Sequence, residues 1–203
     1  MVGKLAILIL SAILISGCIG GPIERTDPPS KPQPSSSSIQ EEAASANSQI
    51  IGASAPDFEL PGTAGDVSLS DLAGQWVVLY FYPKDDTPGC TIEANDFTGS
   101  EHKFDALNAR VIGVSGDPIA SHHEFSERFD ISVDLLSDED HTVMKSYGAW
   151  VDASLGDKTY GRVIRSTVLI DPEGIIRYHW PEVIPEGHAE RVLEKLKVLQ
   201  AQQ

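Results

Sequence analysis

Two continuous apolar segments, separated by an amphipathic one, constrain the fold of this chain more than any other feature. The segments "WVVLYFY" (76–82) and "ARVIGVSGD" (109–117) are rich in β-branched and aromatic residues, a pattern typical of strands buried on both faces. Between them, residues 88–108 carry Phe97 and Phe104 at a spacing that fits one face of a helix. The sequence therefore predicts two parallel strands joined by a helix in a right-handed crossover.

The remainder of the chain continues this alternation of strands and helices. We expect helices near 118–129, 141–148 and 187–200, and strands at 133–137, 163–170 and 174–180. The last two strands are joined by "DPEG", a turn sequence that predicts an antiparallel hairpin. The final helix carries apolar residues at amphipathic spacing: Val192, Leu193, Leu196, Val198 and Leu199. Residues 50–203 are thus predicted to form an α/β domain with a central mixed sheet flanked by helices.

The first residues have the composition of an export signal. Lys4 precedes an apolar run in residues 1–17, and this run is short for a transmembrane helix. The sequence "ISGC", ending at Cys18, resembles the lipobox of secreted lipoproteins, which implies a lipid anchor on Cys18. An uncleaved signal anchor is the alternative. Both interpretations predict a domain outside the cytoplasm, tethered to the cell membrane.

Residues 18–49 have the composition of a spacer. They are rich in Pro and Ser and contain few large apolar side chains, so they cannot bury enough surface to fold. The whole chain carries a formal charge of −15, which makes nucleic acid and anionic lipid poor partners. The same acidity is also what keeps many exported proteins soluble.

A single cysteine follows the first predicted strand. In "PKDDTPGC", Thr87 is a good helix N-cap and Pro88 suits the first helical position, so Cys90 is expected in the first helical turn. Free backbone donors and the helix dipole favour a thiolate there. The alternative is a small, buried and unreactive residue. Asp85 and Asp86 oppose the thiolate unless the loop points both carboxylates into water.

Such a thiolate needs a compensating cation, and Arg165 is the best candidate. It lies in "RVIRSTVLI", a segment otherwise dominated by apolar residues, where a guanidinium needs an anionic partner to offset its desolvation. The alternative is an arginine on an edge strand that faces solvent.

These residues resemble a known family. Pro83, Thr87 and Cys90 are spaced as Pro-x-x-x-Thr-x-x-Cys, the active-site motif of the peroxiredoxins. The segments "VIGVSGD", "LLSDED", "SYGAW" and "RSTVLIDPEG" also resemble the bacterioferritin-comigratory, or Q-type, branch, in the same order. The resemblance implies a thioredoxin-like fold and a peroxidase that reduces hydrogen peroxide and organic hydroperoxides without a metal or organic cofactor. It further implies that Cys90 is the peroxidatic thiolate, Thr87 orients peroxide and sulfur, Pro83 shields the pocket, and Arg165 stabilises the anionic atoms.

The position five residues after Cys90 differs from many members of this branch. Those members carry a resolving cysteine there, whereas this chain has Asn95. With Cys18 assigned to the lipid, Cys90 is the one remaining thiol, so the resemblance implies a one-cysteine enzyme. An external thiol, either a thioredoxin-like protein or a small molecule, would then reduce the sulfenic acid. A disulfide between Cys90 of two chains is a weaker alternative.

The sequence was also compared with the patterns of other functions. A thioredoxin-like thiol–disulfide oxidoreductase is disfavoured, because such enzymes use Cys-x-x-Cys and Glu93 occupies the second position here. A tethered, non-enzymatic redox sensor or binding module would retain the fold and turn over poorly. A metal site is not expected, because the six histidines show no ligand spacing and accompany no cysteine cluster. Tyr147 and Trp150 are expected in the core or the pocket wall.

Overall fold

The computed structural model describes residues 50–155 and 158–202. Its strands are β1 (Glu59–Leu60), β2 (Val67–Ser68), β3 (Trp76–Phe81), β4 (Ala109–Ser115), β5 (Asp134–Ser137), β6 (Trp150–Leu155), β7 (Lys158–Val163), β8 (Ser166–Ile170) and β9 (Ile176–Trp180). Its helices are a 3₁₀ turn (Leu69–Leu72), α1 (Pro88–Asp105), α2 (Ile119–Phe129), α3 (Thr142–Ser146) and α4 (His188–Gln200). The predicted signal segment and spacer lie outside the described residues. None of the described helices is both long and apolar enough to cross a bilayer.

A five-stranded sheet in the order β5-β4-β3-β8-β9 forms the centre of the domain. Strand β3 pairs in parallel with β4, which pairs in parallel with β5. On its other side β3 pairs antiparallel with β8, and β8 with β9. The predicted mixed sheet, the parallel strand–helix–strand unit and the C-terminal hairpin are therefore confirmed.

Helices cover both faces of this sheet. All six residues of β3 are buried and alternate between two apolar clusters. Val78 and Tyr80 belong to the cluster under α1 and α4, while Leu79 belongs to the cluster that includes Met144 of α3. Because β3 is buried on both faces, each of its side chains is apolar or aromatic, as the sequence pattern indicated.

The predicted strand at 163–170 is divided in the structure. Val163 ends β7, which pairs with β6 in a hairpin that the sequence analysis did not predict. Ile164 and Arg165 connect this hairpin to β8, which begins at Ser166. The hairpin was missed because its sequence, from Trp150 to Val163, lacks an alternating apolar pattern.

The last helix, α4, lies where the sequence predicts it, but one of its apolar residues is not buried. Val192, Leu193 and Leu196 are buried against the core, as expected. Val198 is 49% exposed, because it lies on the solvent side of α4. An apolar residue within an amphipathic segment is therefore an imperfect guide to the buried face.

We expect Gly113→Ala to destabilise the fold. Gly113 lies in β4, and a Cβ there would come within 2.5 Å of Tyr80 Cζ and within 2.9 Å of Leu135 Cδ2. Overpacking of this kind costs about 2 kcal/mol, equivalent to a fall in Tm of roughly 5 °C for a domain of this size. Thermal unfolding measures the effect. Gly99→Ala, in α1 with open space around it, is the control and should not lower Tm.

Candidate active site

Cys90 lies in the first turn of α1, as predicted. The helix begins at Pro88, with Thr87 in extended conformation at the N-cap position. The cysteine is 2% exposed and is a free thiol. Its position places the sulfur beside backbone N–H groups at the positive end of the helix dipole, which stabilise a negative charge.

Thr87 occupies the N-cap position but does not cap the helix with its side chain. Its hydroxyl instead donates a hydrogen bond to the Lys84 carbonyl at 2.9 Å. Its own carbonyl accepts the backbone N–H of Thr91 at 2.9 Å. Thr87 therefore has the predicted N-cap position, but its hydroxyl does not occupy the first N–H groups of α1.

Arg165 contacts the sulfur directly. Its Nη2 donates to Cys90 Sγ at 3.1 Å. The sheet explains this contact, because β8 is antiparallel to β3 and Ser166 pairs with Phe81, the last residue of β3. The residue just before β8 therefore lies at the same end of the sheet as the residues just after β3. The predicted pairing of Arg165 with the thiol is present, although Arg165 lies between strands and not within one.

Glu93 is a third member of the site, beside Cys90 and Arg165. The sequence analysis did not predict its part in the site. It is fully buried, and its Oε2 accepts a hydrogen bond from Arg165 Nη1 at 2.5 Å. Burial raises the pKa of Glu93 to about 7, although the neighbouring Arg165 acts to lower it. The signal that could have identified Glu93 is its spacing of three residues from Cys90, which puts both on one helix face.

We expect Glu93→Gln to remove a pH dependence of stability. The pKa of Glu93 is raised in the folded chain, so the folded state holds this proton more tightly than the unfolded state. Its contribution, on the order of 3 kcal/mol, is complete below about pH 4.5 and is lost as pH rises through about 7. Urea unfolding of both chains at pH 5 and pH 8 measures this. An identical pH profile for Glu93→Gln would contradict the assignment.

The loop of residues 181–187, between β9 and α4, borders the site. Val183 donates its backbone N–H to the Arg165 carbonyl at 2.9 Å. A Cβ on Gly89 would lie 3.4 Å from both Arg165 Nη2 and Pro185 Cγ. A side chain on Gly89 would therefore contact both the guanidinium and Pro185. Pro83 is exposed, so its predicted shielding role stays a prediction.

The two aspartates before Cys90 have different environments. Asp86 is exposed and pairs with Arg128 on α2. Asp85 is 5% exposed, and its carboxylate is bound by Tyr82, Ser121 and His122. The loop therefore points Asp86 into water but not Asp85, whose carboxylate lies in a polar pocket supplied by α2.

The histidines are distributed rather than clustered. Within residues 50–155 and 158–202, no three His, Cys, Asp or Glu side chains are grouped as a metal ion would require. His188 is buried and bonds to Thr167, and burial lowers its pKa to about 3. Tyr147 is buried in the core and Trp150 packs against it, as predicted.

Comparison with known proteins identifies the family of this chain. The AhpC/TSA family matches residues 51–179. A putative peroxiredoxin bcp of Coxiella burnetii is 43% identical over 147 residues, covering 72% of this chain and 97% of the relative. Peroxiredoxin Bcp of Bacillus subtilis is 43% identical over 148 residues, covering 72% and 94%. The chain belongs to the Bcp/Q peroxiredoxins of the AhpC/TSA family.

The solved structures agree with this assignment. Peroxiredoxin Q of Xanthomonas campestris superposes with a TM-score of 0.67 at 37% identity, covering 70% of this chain and 90% of that one. The predicted thioredoxin-like fold is therefore confirmed. The peroxiredoxin is a thiol-dependent peroxidase, which confirms the sequence prediction of an enzyme.

Proposed function

We propose that Cys90 is the peroxidatic residue of this peroxiredoxin and that Thr87, Arg165 and Pro83 complete its active site. The observation that supports this most strongly is the 3.1 Å contact between Arg165 Nη2 and Cys90 Sγ at the N-terminus of α1. A guanidinium and a helix terminus directed at one sulfur stabilise its anionic, nucleophilic form. An arginine that served only to pack against its neighbours would not need to contact the sulfur.

The charges of Arg165 and of the N-terminus of α1 favour the following reaction of Cys90 with a peroxide. The Cys90 thiolate attacks one oxygen of the peroxide, an S–O bond forms, and the O–O bond breaks. The bonding electron pair leaves with the second oxygen, which takes a proton to become water or an alcohol. The sulfur is oxidised to sulfenic acid. Arg165 and the free N–H groups of α1 stabilise the charge that develops on the departing oxygen, so they act most strongly in the transition state.

Thr87 and Pro83 have positioning roles in this proposal. The Thr87 hydroxyl donates to Lys84, which leaves its oxygen able to accept a hydrogen bond from a peroxide O–H group. Pro83 lies four residues before Thr87 and is exposed, at the outer side of the loop that leads to Cys90. Its fixed ring would limit the approach of water and larger molecules to the sulfur.

The substrates are hydrogen peroxide and organic hydroperoxides. One related structure, of the bacterioferritin comigratory protein of Xanthomonas campestris, is described in terms of that protein's alkyl peroxide reduction activity. That relative covers 70% of this chain at 37% identity. The apolar Pro185 lies near Gly89 and Arg165, which is consistent with a small alkyl group on the peroxide.

An external thiol completes the cycle in our proposal. Cys90 is the free cysteine of the described residues, and Asn95 is exposed one and a half turns later on α1. A thiol from a thioredoxin-like protein or a small molecule would attack the sulfenic sulfur and release water. A second thiol then cleaves the mixed disulfide and restores Cys90.

We also propose that the chain is exported and held at the membrane by a lipid on Cys18. The support is the sequence of residues 1–17, the "ISGC" motif and the Pro/Ser-rich spacer at 18–49. The domain of residues 50–203 would then act outside the cytoplasm, at the cell membrane. Mass spectrometry of the N-terminus in membrane fractions tests this, and an unmodified Met1 would contradict it.

The stoichiometry of peroxide consumption tests the one-cysteine cycle. The full chain carrying Cys18→Ser, whose one remaining thiol is Cys90, is mixed with excess hydrogen peroxide. We expect one equivalent consumed rapidly without thiol, one sulfenic acid trapped per chain, and repeated turnover once dithiothreitol is added. Consumption no faster than that of a free thiol would instead favour the sensor, and a covalent dimer would favour the disulfide between chains.

A further inference from the structure

The charge of Arg165 is already balanced by two acidic groups of the chain itself. Its Nη2 donates to Cys90 Sγ at 3.1 Å, and its Nη1 donates to Glu93 Oε2 at 2.5 Å. The Arg165 side chain is only 14% exposed. Above the pKa of Glu93, which burial raises to about 7, a Cys90 thiolate, Glu93 and Arg165 together carry one net negative charge. A substrate that is itself anionic therefore meets no unneutralised cation in this group of three residues.

A loop with two exposed carboxylates borders this group. It is formed by residues 181–187 and is called the entrance loop below. Its backbone bonds to Arg165, and its proline lies close to Gly89 at the start of α1. Glu182 and Glu186 of the entrance loop are exposed, and neither forms an ion pair with a cationic side chain of residues 50–155 or 158–202. A peroxide that approaches the sulfur along this side therefore passes two unpaired negative charges.

Two cations near the entrance offset these charges only in part. Arg191 donates from Nη1 and Nη2 to two backbone carbonyls of the entrance loop, at 2.8 Å and 2.6 Å. Lys84 is exposed in the segment before Cys90. Opposite them are Glu182, Glu186 and Asp96, whose Oδ2 accepts a backbone N–H of the entrance loop at 3.1 Å. Because the group around Arg165 adds a further negative charge, the balance at the entrance is negative.

The electric field of the whole domain has the same sign. The chain has a formal charge of −15, and residues 1–49 hold four acidic and three basic side chains, so nearly all of this charge belongs to the domain. A small anion is repelled by such a surface, whereas an uncharged peroxide is not. Salt weakens the repulsion, because the Debye length falls from about 30 Å at 0.01 M ionic strength to less than about 10 Å above 0.1 M.

We propose that this active site selects uncharged hydroperoxides and disfavours hydroperoxides that carry a carboxylate, and that Glu182 and Glu186 are the residues that determine this specificity. The proposal rests on the assignment of Cys90 as the peroxidatic residue, and it narrows the substrate class of that site. The effect lies in the approach of the substrate, so it should appear in the second-order rate constant of oxidation. The bonds that form and break at the sulfur are the same for both classes of peroxide.

A matched pair of substrates tests this in the full chain carrying Cys18→Ser. The probes are 4-hydroperoxy-4-methylpentanoate, which is anionic, and its methyl ester, which is uncharged and otherwise the same. Hydrogen peroxide is the small uncharged reference. Oxidation is measured at pH 8 by titration of the remaining Cys90 thiol, at ionic strengths of 0.01 M and 0.5 M. The ratio of the two rate constants, ester over carboxylate, reports the discrimination by charge.

Three substitutions distinguish the entrance from the rest of the surface. Glu182→Lys and Glu186→Lys reverse a charge on the entrance loop, singly and together. Glu173→Lys is the matched control, because Glu173 is also exposed and the change in net charge is the same. It lies in the turn after β8, at the opposite end of that strand from Arg165.

We expect the parent chain to oxidise with the ester about fivefold faster than with the carboxylate at 0.01 M, and with a ratio below about twofold at 0.5 M. Glu182→Lys and Glu186→Lys should each lower the ratio at 0.01 M, and the double variant should bring it close to one. Glu173→Lys should leave most of the ratio in place. The rate constant with hydrogen peroxide should stay within about twofold of the parent value in every variant, because that substrate carries no charge.

Two results would overturn the proposal. The first is a parent chain that reacts equally fast with ester and carboxylate at 0.01 M. The second is a Glu173→Lys variant that lowers the ratio as much as Glu186→Lys, because the discrimination would then belong to the net charge and not to the entrance loop. If the double variant does not fold, the single variants decide. A parent chain whose Cys90 reacts with hydrogen peroxide no faster than a free thiol would instead refute the proposed function.

Discussion

Cys90→Ser should abolish peroxidase activity, with a loss of about 10⁴-fold or more in the rate of peroxide reduction. A serine hydroxyl in the first turn of α1 is not ionised near neutral pH and so is a poor nucleophile toward a peroxide oxygen. The fold should remain, because Cys90 is a small residue in the cluster under α1, and serine is of similar size. Stopped-flow oxidation by hydrogen peroxide, with Tm measured on the same sample, separates chemistry from stability.

Cys18→Ser is the matched control for this substitution. The two cysteines of the chain are Cys18 and Cys90, so each single variant leaves one thiol. The Cys18→Ser chain should oxidise at the rate of the unmodified chain, and the Cys90→Ser chain should not. Equal rates in both variants would show that the reactive sulfur is not confined to Cys90, and the proposed site would be wrong.

Arg165→Ala should slow oxidation by about 10²-fold to 10³-fold, the loss that follows removal of one preorganised donor from a developing anion. The substitution removes the Nη2 contact to Cys90 and also leaves the buried Glu93 carboxylate without its partner. The rate constant with hydrogen peroxide, measured from pH 5 to pH 9, reports the effect on the sulfur.

Arg165→Lys and the double variant Arg165→Ala with Glu93→Gln separate these two effects. Lysine keeps the charge but cannot contact Cys90 and Glu93 through two nitrogens of one planar group, so partial activity is expected. The double variant should recover stability lost by Arg165→Ala, because no unpaired buried carboxylate remains, without recovering the rate. Oxidation at the normal rate in Arg165→Ala would remove Arg165 from the active site.

The features of the site that depend on local sequence could be predicted. The helix start at Pro88 and the place of Cys90 in the first turn depend on residues 87–90 alone, and the structure agrees. The mixed sheet followed from the buried pattern of β3 and β4 and from the turn before β9. Such features are set by backbone preferences and side-chain periodicity, which are visible in a single sequence.

The features that depend on tertiary contacts could not be predicted. Asp85 and Asp86 are adjacent and chemically identical, yet α2 buries one and leaves the other exposed, and His122 lies 37 positions from its partner. The break at Arg165 arises because β6 and β7 form a separate hairpin, which ends at Val163. No local pattern distinguishes these outcomes, because each depends on which distant element packs nearby.

The separation of Cys90 and Arg165 along the chain also has a consequence for folding. The two residues are 75 positions apart, and they meet only after β8 has paired with the central strand β3. Long-range pairing of this kind forms slowly compared with a local helix. If Cys90 is the peroxidatic residue, as we propose, a newly made chain would carry an ordinary thiol that reacts slowly with peroxide, and this thiol would become reactive when β8 pairs with β3. During refolding, the rate at which Cys90 becomes sensitive to peroxide would report the rate at which β8 pairs with β3. No added label is needed.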